Sequence, residues 1–159
     1  MNLNTEAETL GKVPLFAKLD SSRLKLLAFT SQLITFEDQE ILFEAGDPSD
    51  STYVIMRGDI EILTGTEQGY IVAGVLGAND LVGEMGVLTN SPRSATIRAR
   101  GQVIALKIDG EMFLNLVAEN PGVALSVMCQ LSEKIAVTHR KYEDAQNRLQ
   151  TLLAEHPDT

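Results

Sequence analysis

Between residues 33 and 108 the chain is cut into short β-rich runs by glycine-bearing breaks, a rhythm that restricts the fold more than any other feature. The runs are Leu33–Phe36, Glu40–Phe43, Thr52–Met56, Asp59–Leu63, Tyr70–Leu76, Ser94–Arg100 and Val103–Ile108. β-Branched and aromatic residues recur in them, as suits side chains that pack on a pleated surface. Gly46-Asp47-Pro48, Gly69, Gly77 and Gly101 interrupt them. Arg57-Gly58-Asp59, which spells an integrin-recognition tripeptide, reads here as a hairpin turn between two strands. Many short strands at near-regular spacing predict a sandwich or barrel.

Helices are expected on either side. Val13-Pro14-Leu15-Phe16 opens an N-terminal helical segment, with Asp20 or Ser21 as N-cap of a helix over 22–30. Asp109 can cap a short helix through Val117, which Asn120-Pro121 ends or kinks. From Ala124 onward Met128, Leu131, Ile135, Thr138, Tyr142, Ala145, Leu149 and Leu152 recur in a 4,3,4,3 rhythm, the pattern of a heptad seam. From Leu131 to Leu152 this helix would run roughly 33 Å at 1.5 Å per residue, far enough to outreach a small β domain. The seam either packs on its own barrel or pairs with a second copy; pairing is the preferred reading, because the distal residues would find little barrel beneath them.

Chemistry concentrates in Gly83-Glu84-Met85-Gly86-Val87-Leu88-Thr89-Asn90-Ser91-Pro92-Arg93-Ser94-Ala95-Thr96. Glycine beside a short helical turn lets backbone amides approach an anion, and Gly83 with the amides of Met85, Gly86 and Ala95 could serve so. Arg93 offers a planar fork suited to phosphate oxygens, and the Ser94 hydroxyl can donate to the same group. Glu84 repels phosphate but is a strong acceptor for a ribose 2′-hydroxyl. An anion site with one such acceptor points to a ribonucleotide.

At these residues the stretch resembles the phosphate-binding cassette of the cyclic nucleotide-binding domain family, which includes the catabolite activator protein, protein kinase A regulatory subunits and nucleotide-gated channels. The resemblance implies an α+β fold: an eight-stranded β jelly roll, or double-stranded β-helix, with N-terminal helices and a long C-terminal helix. It implies one domain over 1–159, with a helical segment at 1–32, a β-roll at 33–108 holding the cassette at 83–96, and C-terminal helices at 109–155. It also implies that Glu84 binds the ribose hydroxyl, that Arg93 binds the cyclic phosphate, and that Gly83, Met85, Ser94 and Ala95 complete the pocket. Gly86 stands where the kinase and channel branches usually have alanine. Val137-Thr138-His139 is similar to the catabolite activator protein's base-contacting segment, so Thr138 is expected at the base. His139 replaces the serine that, in that protein, reaches across from the other subunit.

The expected ligand is cAMP, with cGMP as the alternative, and no cofactor is expected. The expected partners are a second copy, joined through Leu131, Ile135, Tyr142, Leu149 and Leu152, and an unidentified effector protein. A formal charge of -9 and a pI near 4.6 argue against a dominant nucleic-acid surface, and direct DNA binding is not expected. Transcription factors of the family carry a helix-turn-helix after the long helix, where this sequence has only Ala154-Glu155-His156-Pro157-Asp158-Thr159. No signal peptide is read at Met1-Asn2-Leu3-Asn4 and no membrane span anywhere, so a cytoplasmic protein is expected. The lone Cys129 is expected to be a packed core residue.

Two rival classes remain. A metal-dependent enzyme on a double-stranded β-helix would need clustered histidines, and His139 and His156 both lie beyond the β core, so an enzyme is not expected. A degenerate domain kept for dimerisation or docking would leave Glu84 and Arg93 buried without a ligand between them, at a desolvation cost.

Overall fold

The structure, a computed structural model, describes residues 3–156, with side chains from Glu6 onward. Met1 and Asn2 of the proposed leaderless start, and the tail Pro157-Asp158-Thr159, lie outside the described residues. Helix α1 (Leu3–Gly11), a 3₁₀ turn (Pro14–Phe16) and α2 (Ser21–Thr30) lead into six strands. These are β1 (Gln32–Phe36), β2 (Ile41–Phe43), β3 (Ser51–Thr66), β4 (Gly69–Leu76), β5 (Leu81–Val82) and β6 (Thr96–Asp109). Helix α3 (Glu84–Thr89) sits between β5 and β6, and α4 (Gly110–Glu119) and α5 (Pro121–Glu155) close the chain.

The sheet is antiparallel throughout, in the order β1-β6-β3-β4, with β2 also on β6 and β5 also on β3. Strands β3 and β6 form its spine, and both correct the sequence reading. Arg57-Gly58-Asp59 is not a hairpin turn, because β3 stays paired with the same partner on both sides of it: Ile55 faces Ala105 and Ile60 faces Ala99. Gly58 (φ 94°) bends the strand through a bulge, and there a Cβ would overlap the Gln102 carbonyl oxygen. Gly101 likewise lies inside β6, so the two runs expected on either side of it are one strand. Strand β5 went unread because two residues carry no periodicity.

Asp20, not Ser21, caps α2, accepting from the Arg23 amide at 2.9 Å. Asp109 caps α4 through the Glu111 and Met112 amides. Asn120, in extended conformation, separates α4 from α5 at a bend of 111°. Its side-chain oxygen takes a hydrogen bond from Arg23, and its amide nitrogen donates to the Leu116 carbonyl at 2.8 Å. Pro121 then begins α5, three residues before the expected start, since proline at a first helical position sacrifices no bond.

Adjacent residues of β3 serve two cores, as the period of two requires: Val54 packs with the helices and Ile55 with a second core made of strand residues. The first core joins Phe16, Leu27, Leu106 and Phe113 to Val123 and Val127 of α5. The second holds Ile60, Val103 and Ala105, with Tyr53 against the rings of Phe36 and Phe43. Each fully buried large side chain contributes about 1.5–3 kcal/mol. Only the start of α5 takes part: Val123 and Val127 are buried, Leu131 is half-buried, and every residue from Ile135 to Glu155 is exposed. Cys129 is exposed rather than packed, because it lies two residues beyond Val127 and so on the opposite side of the helix from the buried stripe.

Candidate ligand-binding site

Val82, paired with Tyr53 of β3, delivers the chain to Gly83 at the end of β5. Gly83 is left-handed (φ 82°), and a Cβ there would overlap Nη1 of Arg93 and stand 3.2 Å from the Phe43 ring, so glycine is required twice over. The turn starts α3 at Glu84. Gly86, inside that helix, lies against the loop before β3: a Cβ would overlap the Ser49 hydroxyl and come within 2.6 Å of the Ser49 Cβ and 2.8 Å of the Ser91 carbonyl oxygen. Alanine, usual in two branches of the family, has no room here.

Arg93 is clamped at both ends. Its backbone N–H donates to the Asp47 carbonyl and its carbonyl accepts from Gly46, both at 2.9 Å, so the Gly46-Asp47 turn holds it in place. Its side chain is only 3% exposed. Nη1 donates to the Gly83 carbonyl at 3.0 Å, Nη2 donates to the Ser51 hydroxyl at 3.1 Å, and the guanidinium lies 4.1 Å above the Phe43 ring. Asp50 is 3.7 Å away, at ion-pair distance. Burial pushes the arginine's pKa down, opposed by the charge of Asp50. Nε remains buried without a partner, as does the Ser49 hydroxyl.

Glu84 is also buried, with its side chain 3% exposed. Its Oε1 accepts from Lys134 Nζ of α5 at 2.7 Å, and the same ammonium donates to the Leu81 carbonyl at 2.7 Å. Gln130, one turn earlier, accepts from the Leu81 amide at 3.3 Å, and Lys141 donates to the Ala73 carbonyl of β4 at 3.1 Å.

These elements enclose a cleft of about 480 Å³ between the cassette, β4 and α5. Gly83, Glu84, Met85, Gly86, Arg93, Ser94, Ala95 and Thr138 all line it. His139 is not brought in: it stands exposed on α5, with Nε2 3.0 Å from the Glu143 carboxylate. The Thr138 hydroxyl donates to the Lys134 carbonyl one turn back, leaving its oxygen lone pairs toward other donors. Sequence reasoning missed the apolar wall of Ile62, Val75, Leu76 and Ile97, and the polar stripe of Gln130, Lys134 and Lys141. The stripe had a signal, a spacing of four and seven along one helix face, but charged residues at such spacing also describe a solvated surface.

Residues 33–120 match the family model for the cyclic nucleotide-binding domain, over the strands, cassette and α4 just described. The chain belongs to the cyclic nucleotide-binding domain family. A Rhodopseudomonas palustris protein named as a potassium channel is 32% identical over 119 residues, and an uncharacterized NTE family protein of Mycobacterium bovis is 30% identical over 118. Each alignment takes in 74% of this chain, which spans only 28% and 20% of the length of those curated relatives. Among solved structures, the N-terminal domain of a transcriptional regulator from Streptomyces coelicolor is 27% identical, with a TM-score of 0.61 over 87% of this chain and 94% of that one. A cAMP-independent protein kinase A regulatory subunit from Trypanosoma cruzi, bound to guanosine, is 25% identical, with a TM-score of 0.70 over 94% of this chain and 50% of that one. In this cyclic nucleotide-binding domain, residues of the 83–96 stretch, β4 and α5 line one cleft. Among the described residues no single helix is long and apolar enough to cross a membrane.

Proposed function

We propose that this domain binds a cyclic ribonucleotide, cAMP ahead of cGMP, and passes the binding event through α5 to a partner protein. One observation carries the reading: a buried guanidinium and a buried carboxylate, those of Arg93 and Glu84, line the same cleft. The cyclic phosphate would take Arg93, the Ser94 hydroxyl and the amides of Met85, Gly86 and Ala95, while the ribose hydroxyl would donate to Glu84. The base would lie against the apolar wall, with Thr138 accepting from the amino group of adenine. Arginine at the cleft favours a phosphate-bearing ligand over a bare nucleoside.

In this reading the whole chain is one domain, and the bent β3 and β6 each supply two legs of an eight-stranded jelly roll. The exposed seam residues Ile135, Tyr142, Leu149 and Leu152 favour a homodimer, because nothing in their own domain covers them. His139 would then be free to reach toward the other copy. A single cysteine, which permits no internal disulfide, suits a cytoplasmic setting. The domain acts by binding and is not itself an enzyme.

A second reading is favoured by the Lys134–Glu84 ion pair. The Lys134 ammonium already pairs with the carboxylate, so the desolvation argument against a ligand-free docking module loses force. Calorimetric titration with cAMP, cGMP and guanosine separates the two. Saturable binding of a cyclic nucleotide in preference to guanosine supports the sensor; heatless titrations with all three support the docking module.

A further inference from the structure

Lys134 holds the carboxylate that the proposed ligand would use. Its ammonium bridges the Glu84 carboxylate and the Leu81 carbonyl, at 2.7 Å from each, and is itself only 30% exposed at the side chain. Gln130 holds the Leu81 amide from the same helix face. Both backbone groups of Leu81, three residues before the cassette carboxylate, are thus bonded to α5 side chains one turn apart. At 3.6 residues per turn, Gln130, Lys134 and Lys141 fall on one stripe of α5, while Ile135, Tyr142 and Leu149 fall roughly a quarter-turn round from it. Thr138 lies on the boundary, which explains how it can belong both to the heptad pattern and to the cleft lining.

The tether at Lys134 matters because packing alone holds the helix so weakly there. Beyond Val127 and the half-buried Leu131, α5 buries no residue, so side-chain bonds to Leu81, Glu84 and Ala73 are what fix its direction across the cleft. Of these three bonded residues only Glu84 carries a group that the proposed ligand would use.

We propose that Lys134 is an internal competitor for the ribose site: it neutralises Glu84 while the cleft is empty, and a ribose hydroxyl donating to that carboxylate weakens the ion pair and with it one tether of α5. The proposal rests on the cyclic-nucleotide reading and specifies how that site would be regulated. A ligand shifts such an equilibrium only by its differential affinity for the tethered and released states, and here the difference is localised in one ion pair. The ion pair is therefore a cost to binding, and its removal strengthens binding.

The experiment uses the full chain. Lys134→Met should bind cAMP about tenfold more tightly than wild type in calorimetry, within the usual range of coupling between sites. Lys134→Arg, which can still pair with Glu84, should restore wild-type affinity. In hydrogen exchange without ligand, α5 amides around 130–141 should exchange faster in Lys134→Met than in wild type. Should Lys134→Met fold poorly in thermal melts, Lys134→Gln carries the same expectation. If wild type binds cAMP while the Met or Gln variant binds equally or more weakly, the competitor role is overturned and the ligand reading survives. If neither wild type nor variants bind any cyclic nucleotide, the ligand reading falls and the competitor role with it.

Discussion

Arg93 and Tyr142 sit at opposite extremes of this fold. Arg93 is 3% exposed at the side chain and is tied to Gly83, Ser51, Asp47 and Gly46. Tyr142 is 60% exposed and takes one hydrogen bond, from Gln146 on its own helix, at 2.8 Å. Arg93 is thus part of the scaffold and cannot be altered without structural effect. The distal half of α5 adds almost nothing to the stability of its own domain. Its seam residues Ile135, Tyr142, Leu149 and Leu152 are left uncovered by the rest of the domain.

The largest expected effect comes from Arg93→Ala. It removes charge-assisted bonds worth about 1.5–3 kcal/mol each, so calorimetric affinity for cAMP should fall roughly 10- to 150-fold per bond lost. Melting temperature should fall too, since the Gly83 carbonyl and Ser51 lose their partner. Affinity unchanged by this variant would mean the cassette is scaffold alone.

Next is Gly86→Ala, a single added methyl group. Overpacking against Ser49 and the Ser91 carbonyl should cost about 1–3 kcal/mol in thermal or urea unfolding. Combining it with Ser49→Gly should recover part of the loss, because Ser49 is one of the two contacts. An unperturbed melt for the single variant would show that the loop before β3 gives way easily and that the cassette is less rigid than its contacts imply.

Tyr142→Asp with Leu149→Asp tests the opposite half of the contrast. Sizing with light scattering should show a wild-type dimer and a monomeric variant. The domain's own unfolding free energy should stay within about 0.5 kcal/mol of wild type, as for exposed positions generally. A wild-type monomer at high concentration would remove the seam from the proposed interface.

The smallest effect is expected at Asp38, whose carboxylate accepts from the Gly101 amide at 2.7 Å where β6 bends. That hydrogen bond, reinforced by one from Gln39, lowers its pKa below the ordinary carboxylate value. A group with a depressed folded-state pKa stabilises above its unfolded pKa and loses that contribution as pH falls through the folded value. Asp38→Asn should therefore lower the melting temperature slightly at neutral pH, leave the most acidic value nearly unchanged, and so flatten the acid side of the profile. An identical acid limb would show the bend at Gly101 to be independent of its cap.

Much of this molecule was legible because its information is local. The cassette is contiguous, so Gly83, Glu84, Arg93 and Ser94 could be grouped by spacing alone, and all four line one cleft. The caps at Asp20 and Asp109 follow from residues two or three positions away. Gly58 shows where locality fails. Its residue type announces a break in regular strand, but whether the chain turns back or bends and continues depends on the pairing of β3 with β6, some forty residues distant. Cys129 fails similarly: its apolar neighbours suggested a core position, while the side of α5 that is buried was decided by the packing of Val123 and Val127 against the first core.

By itself the sequence determined the β-rich body, the capped helices, the cassette and the long amphipathic helix, because each is written in residues adjacent along the chain or one helical turn apart. Tertiary structure alone decided that Glu84 faces Lys134 across fifty positions, that Gly86 is pressed against Ser49, and that the second half of α5 stands clear of its own domain. Contacts of that kind depend on where whole elements are set against one another, and no periodicity along the chain records it.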